Sequence, residues 1–201
     1  RGADVFVSLE PCSHHGKTGP CASALIGAGV ARVVISMLDP NPEVSGRGVE
    51  MLRQAGIEVL ISDNPDQARM INSGFCLRME KGRPLVRLKI AATLDGRTAA
   101  SDGSSQWITG DSARRDVHTL RAMSCALIPG IGTIRADNPR LNARVDSDVE
   151  QPLRVIVEGH HVVPPDAAIF NEAGRVLLVG PRSLPSRKEV PPGAEYWSVD
   201  S

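Results

Sequence analysis

Neither sign of charge dominates this chain: 23 lysines and arginines meet 23 aspartates and glutamates, a formal net charge of zero with histidine neutral. That balance excludes recruitment to nucleic acid or to an anionic membrane by bulk charge. No apolar run approaches the roughly 20 residues that a membrane span requires, and no signal peptide is visible. Cysteine is used sparingly: Cys12, Cys21, Cys76 and Cys125 are scattered through 201 residues, which argues against a disulfide-stapled secreted domain and for reduced thiols in a cytoplasmic setting. Aromatics make up 3% of the chain, so Trp107, one of only two tryptophans, stands out.

What is present is ordinary globular material, 41% hydrophobic and 23% charged. The length somewhat exceeds that of one average domain, which predicts two domains, or one and a large part of another. The chain opens at Arg1 without methionine and runs almost directly into the strand-like Asp4 to Leu9, the look of an internal fragment.

Across the first eighty residues, Val- and Ile-rich runs alternate with helical patterns, the signature of an α/β sheet with crossover helices. Strands are expected at Val5–Leu9, Ala31–Met37 and Ile57–Ile61. Helices are expected at Pro20–Ala28, closed by Gly29, at Gly48–Ala55, closed by Gly56, and at Asp66–Met79. Asp39-Pro-Asn-Pro42 reads as a turn, and the polar break Glu80–Pro84 as the domain boundary. Beyond it, Leu85–Ala91 alternates apolar and basic residues like a strand, with Lys89 on one face and Leu88 and Ile90 on the other. A helix capped by Asp111 or Ser112 should run to about Ser124, burying Ala113, Val117 and Leu120 and exposing Arg114, His118 and Arg121. Further strands are expected at Ala126–Ile128, Leu153–Val157 and Val176–Val179.

The densest chemistry lies in Leu9-Glu-Pro-Cys-Ser-His-His-Gly-Lys-Thr-Gly-Pro-Cys21. Cys12 follows a strand end and Cys21 opens a helix, where the macrodipole favours a thiolate. Two thiolates joined by one loop invite Zn2+, which prefers sulfur and imidazole in a tetrahedron. A catalytic site would need a third protein ligand. The competing reading is structural: buried cysteines, or a zinc knuckle closed by His14 or His15. Pro-Cys and a second cysteine at a helix start also occur in zinc-dependent nucleobase deaminases, but at a shorter spacing than the one here, which argues against a cytidine or tRNA deaminase proper.

Glu10 to Cys21, Asp39-Pro-Asn-Pro-Glu-Val-Ser-Gly-Arg-Gly48, Leu94–Ala99, Ser105–Thr109 and Gly132–Arg144 together resemble the RibD family of riboflavin biosynthesis, a pyrimidine deaminase fused to a reductase. The resemblance implies a cytidine-deaminase-like three-layer α/β domain over 1–82, incomplete at its N-terminus. It implies a dihydrofolate-reductase-like α/β domain over 83–201, incomplete at its C-terminus. Cys12 and Cys21 match the family's two zinc cysteines, while its His-Ala-Glu would precede Arg1; His14 and His15 then become loop or pocket residues. The implied deamination is attack of zinc-activated hydroxide on C2 of 2,5-diamino-6-ribosylamino-4(3H)-pyrimidinone 5′-phosphate, with loss of ammonia. Asn41 either lines the base pocket or merely stiffens its turn.

The reductase half, by the same resemblance, passes a hydride from NADPH to C1′ of the ribosyl group and yields a ribityl chain. Ser105, Arg121, Leu141 and Arg144 match substrate positions, and arginine's planar fork suits phosphate. Ala91, Trp107, Thr133 and Asp137 match NADP contacts; an indole there either packs on a cofactor or fills the core. Gly130-Ile-Gly132-Thr133 is too short to be a dinucleotide fingerprint by itself. Lys89 is read as a catalytic or substrate group or as half of a surface ion pair. Val157–Pro164 departs from the family's Asp-Ser-basic pattern, which leaves Gly159 without its expected cofactor contact, and the phosphate loop and a substrate-facing glutamate would lie beyond Ser201. The partner implied is a small molecule, with a homo-oligomer open. Two other readings stand beside this one: a non-catalytic zinc-knuckle module, and an enzyme retaining one of the two activities.

Overall fold

The computed structural model describes residues 1–181 and 189–200. Its contacts divide the chain into two compact units, Arg1–Lys89 and Ile90–Ser201.

In the first unit, short β-branched runs pair into a parallel sheet of β1 (Asp4–Val7), β2 (Arg32–Ile35) and β3 (Glu58–Ile61), in that order. The register sets Val5, Val33 and Val59 side by side, and likewise Val7, Ile35 and Ile61. Because side chains alternate across a strand, Val33, Ile35 and Val59 share one face. Helices α1 (Cys21–Ala28) and α2 (Arg47–Gln54) cover that face with Ala22, Val49 and Leu52. The other face carries Phe6 and Leu60, both exposed. Helix α1 ends where expected: Gly29 turns left-handed at φ 66° and its N–H reaches the carbonyls of Leu25 and Ile26.

The helix expected over Asp66–Met79 is two helices, α3 (Asp66–Ile71) and α4 (Ser73–Lys81). The break falls at Asn72, whose Nδ2 donates to the Ala68 carbonyl at 2.9 Å, beside the weak helix formers Ser73 and Gly74.

The strand expected over Leu85–Ala91 does not form. No ladder pairs this stretch among the described residues, and Val86 and Leu88 stand 78% and 83% exposed. Alternation marks a strand only where a neighbour supplies the other half of the ladder.

In the second unit β4 (Ala126–Leu127), β5 (Leu153–Val157), β6 (Val176–Pro181) and β7 (Ala194–Val199) form a parallel sheet in chain order. Ile156 and Leu178 lie side by side in the core with Val176, Val163 and Ile169. Ile134 joins them from α6 (Ile131–Asp137). Arg154, on β5, is as buried as its apolar neighbours. Its guanidinium donates to the carbonyls of Ile169, Glu172, Ala173 and Gly174 at 2.7 to 3.1 Å, tying the segment after the 3-10 turn Ala168–Asn171 to the sheet.

Helix α5 (Asp111–Ala122) corrects two expectations. Gly110 occupies the N-cap position without a side-chain bond, since the Asp111 carboxylate pairs with Arg114 instead of the backbone. Ala113 is exposed and no residue of α5 is fully buried, whereas Arg114, His118 and Arg121 are half-buried beside Val117 and Leu120. Long cationic side chains lay their stems on the protein, so the basic stripe is turned inward.

Candidate functional site

The cysteine loop is held by a residue with no role assigned from sequence, Glu10. Its carboxylate is buried, and accepts the N–H groups of Asp39 and Gly46 on Oε2 at 3.2 and 2.9 Å and those of Gly48 and Val49 on Oε1 at 2.9 and 3.2 Å. One side chain thus stitches the exit of β1 to the turn after β2 and to the first turn of α2. The contact is tight: a Cβ built on Gly48 would lie 1.9 Å from the Pro11 carbonyl oxygen. A charged residue directly after the apolar run Val5–Leu9 is the signal for Glu10, because burial there is tolerable only when fully hydrogen-bonded.

That clamp sets Cys12 against the start of α1, where the Cys21 N–H donates to Cys12 Sγ at 3.3 Å. The expected lowering of the Cys21 thiol is not seen. Its hydrogen bond with Cys12, followed by burial, raises it, because two sulfurs this close cannot both shed protons cheaply. All four cysteines are free thiols. The facing sulfurs fit two corners of a tetrahedral metal site. Among the described residues no group of three or more His, Cys, Asp and Glu side chains completes one, and His14 and His15 join no such cluster.

Asp39 is buried beside this loop, and burial, ahead of the nearby Glu10 charge, holds its carboxyl above the ordinary range. Its Oδ1 accepts the Asn41 N–H at 2.8 Å, and Asn41 Oδ1 accepts the Glu43 N–H at 3.0 Å. Asn41 therefore stiffens its own turn. A hollow of about 530 Å³, lined in part by Leu38, Val49, Arg53 and Ile61, contains none of the residues singled out from sequence.

In the second unit the substrate candidates Arg121 and Arg144 converge on Asn142. Arg121 Nη1 donates to its carbonyl at 3.2 Å and Arg144 Nη1 to its Oδ1 at 2.9 Å. Burial first, then Arg144, pulls the Arg121 guanidinium below its ordinary value. Neither arginine has an acidic partner among the described residues. Leu141, in the same loop, has φ 56°, rare for a side chain branched beyond Cβ. Ser105 Oγ donates to Asp137 Oδ1 at 3.2 Å, which joins a substrate candidate to a cofactor candidate. Trp107 is 71% exposed, with the Arg114 guanidinium 4.5 Å from its ring centroid. An indole this exposed is not core filling; it fits a contact to a planar cofactor ring. Thr133 is exposed on α6, Ala91 is half-buried, and exposed Lys89 forms no ion pair among the described residues.

Two α/β units with parallel sheets, one carrying a clamped thiol pair and the other a basic cluster and an exposed indole stacked by Arg114, define an enzyme-like architecture. Residues 84–190 match the family described as the RibD C-terminal domain. The riboflavin biosynthesis protein RibD of Haemophilus influenzae is 46% identical over 198 residues, covering 92% of this chain and 53% of the relative. That of Escherichia coli is 46% identical over 186 residues, covering 87% and 51%. Among solved structures, Acinetobacter baumannii RibD superposes with a TM-score of 0.84 at 44% identity, covering 98% of this chain and 56% of that one. The Thermotoga maritima diaminohydroxyphosphoribosylaminopyrimidine deaminase/5-amino-6-(5-phosphoribosylamino)uracil reductase does so with 0.85 at 40%, covering 100% and 56%. The chain belongs to the RibD family. It spans about half the length of the curated relatives it matches.

Proposed function

We propose that this chain carries parts of both activities of riboflavin biosynthesis: a zinc-dependent pyrimidine deaminase domain over 1–82 and an NADPH-dependent reductase domain over 83–201. The substrate is a pyrimidine bearing a ribosyl 5′-phosphate, deaminated on the base and then reduced at the sugar. The single observation that carries the reading is the convergence of Arg121 and Arg144 on Asn142 without a carboxylate partner among the described residues, inside the stretch that matches the reductase family. Two cations left uncompensated by protein suit a phosphate.

In the first domain Cys12 and Cys21 would hold zinc. Zinc, when bound, supplies a nucleophile at neutral pH by acidifying water. Glu10 keeps the two sulfurs in register, and the stiff Asp39–Glu43 turn fixes the wall beside them. In the second domain Arg121 and Arg144 hold the phosphate, Leu141 and Ser105 line the sugar, and Trp107, Thr133, Asp137 and Ala91 orient the nicotinamide cofactor, which carries the hydride. Lys89 is assigned a substrate or catalytic role. The four free thiols fit a reducing cytoplasm. The partner is this small molecule, with no nucleic acid or membrane engaged, and a homo-oligomer remains compatible.

The test is NADPH titration of the chain, followed by tryptophan fluorescence. Saturable quenching is expected, and Trp107→Phe should remove most of it and leave the Trp197 signal. A non-catalytic zinc module predicts no quenching at all.

A further inference from the structure

Arg121 and Arg144 do not stand alone. His118 lies one turn before Arg121 on α5, and its ring faces the Arg144 loop through both nitrogens: Nδ1 is 3.2 Å from the Arg144 backbone N, and Nε2 is 3.0 Å from Arg144 Nη2. A neutral imidazole has one lone pair, so it can accept from only one of these two donors. The other ring nitrogen then presents an N–H to a neighbourhood that already holds two guanidinium groups. Around the ring, the charged groups are Arg121 from α5 and Arg144 from the loop after α6. Glu172, the acidic group bonded to this loop, is taken up by Asn142 Nδ2 at 2.7 Å and by Arg140 at 3.2 Å. Half-buried His118 and Arg121 and exposed Arg144 therefore meet around Asn142, whose backbone favours the charged ring but brings no charge of its own.

We infer that His118 is a third member of the anion site, and that a tetrahedral dianion bound between Arg121 and Arg144 takes up a proton on His118. Binding therefore tightens as pH falls. The inference rests on the phosphorylated-sugar reading for the nature of the natural ligand, but the anion site itself stands on the geometry.

The sign follows from the environment. Burial first, then Arg144 and Arg121, holds the His118 ring below the ordinary histidine range, so the unliganded site keeps it neutral around pH 7. An anion cancels the repulsion from the two arginines and adds an acceptor. That raises the proton affinity of the ring, and by reciprocity protons raise the affinity for the anion.

Sulfate is the probe, since it does not itself titrate near neutrality; its binding to the chain is measured by calorimetry from about pH 8 to about pH 5.5, across the ordinary histidine range. Affinity is expected to rise by about fivefold to tenfold over that range, the scale of one coupled protonation. His118→Gln, which keeps a polar side chain but cannot charge, should flatten the dependence and retain the residual affinity supplied by the arginines. A flat profile in the parent chain, no sulfate binding at any pH, or an unchanged slope in His118→Gln overturns the inference. The parent profile alone decides should that variant not fold. Competition by ribose 5-phosphate separates the two readings: a pH-dependent sulfate site that the sugar phosphate does not enter keeps the anion site and sinks the substrate assignment.

Discussion

Glu10 shows how one carboxylate can organise a site without chemistry of its own. Four backbone N–H groups from residues 39 to 49 end on it, so Glu10→Gln turns one acceptor oxygen into an amide that points hydrogens at donors. A buried donor left unpaired costs about 1–3 kcal/mol, and we expect a loss of roughly that size in urea denaturation of the first unit. Gly48→Ala should cost a similar amount by a different route, since its Cβ would meet the Pro11 carbonyl and the loop must move. A Glu10→Gln protein as stable as its parent would show that the clamp contributes nothing. Arg154 plays the corresponding part in the second unit, where one guanidinium donates to the carbonyls of Ile169, Glu172, Ala173 and Gly174.

At the scale of elements, the strands and first helices were legible because apolar β-branched runs bounded by glycine and proline have few other uses; Leu153–Val157 matches to the residue. Other elements were hidden for specific reasons. Helix α6 begins between Gly130 and Gly132, residues that weaken any helical reading, and it forms because Ile134 drops into the core. Strand β7 sets Trp197 and Val199 outward beside Glu195 and only Ala194 and Tyr196 half-buried, so its apolar residues fall on both faces and show no clean alternation. The inward turn of the α5 arginines defeats a pattern that counts charge as outward. The site was legible only as motifs: sequence order marked Cys12 with Cys21 and Arg121 with Arg144, but the roles of Glu10 and His118 depend on bonds across 29 to 39 and 26 residues. For Leu85–Ala91 the expected outcome is fast amide exchange, near that of an unstructured chain, because no ladder protects it. Slow exchange across Val86 to Ile90 would mean that a strand partner is present in solution.

For the molecule as a whole, two units with separate cores predict that ligands act on separate transitions. Calorimetric melting should not be two-state. Zinc at 100 times its dissociation constant should stabilise the transition of the first unit by about 2.7 kcal/mol, and NADPH at the same ratio that of the second by the same amount. A single transition that both ligands shift equally would overturn this assignment of sites to units.

Every strand pairing described in the chain is parallel. Neighbouring strands that run the same way cannot be joined by a tight reversal, so each registry is completed only after the intervening segment has been laid across the sheet. Assembly is accordingly slow for a chain of this length, and the half-built sheets, with bare edges and uncovered valines, are the species most apt to stick to one another when the protein is made at high concentration.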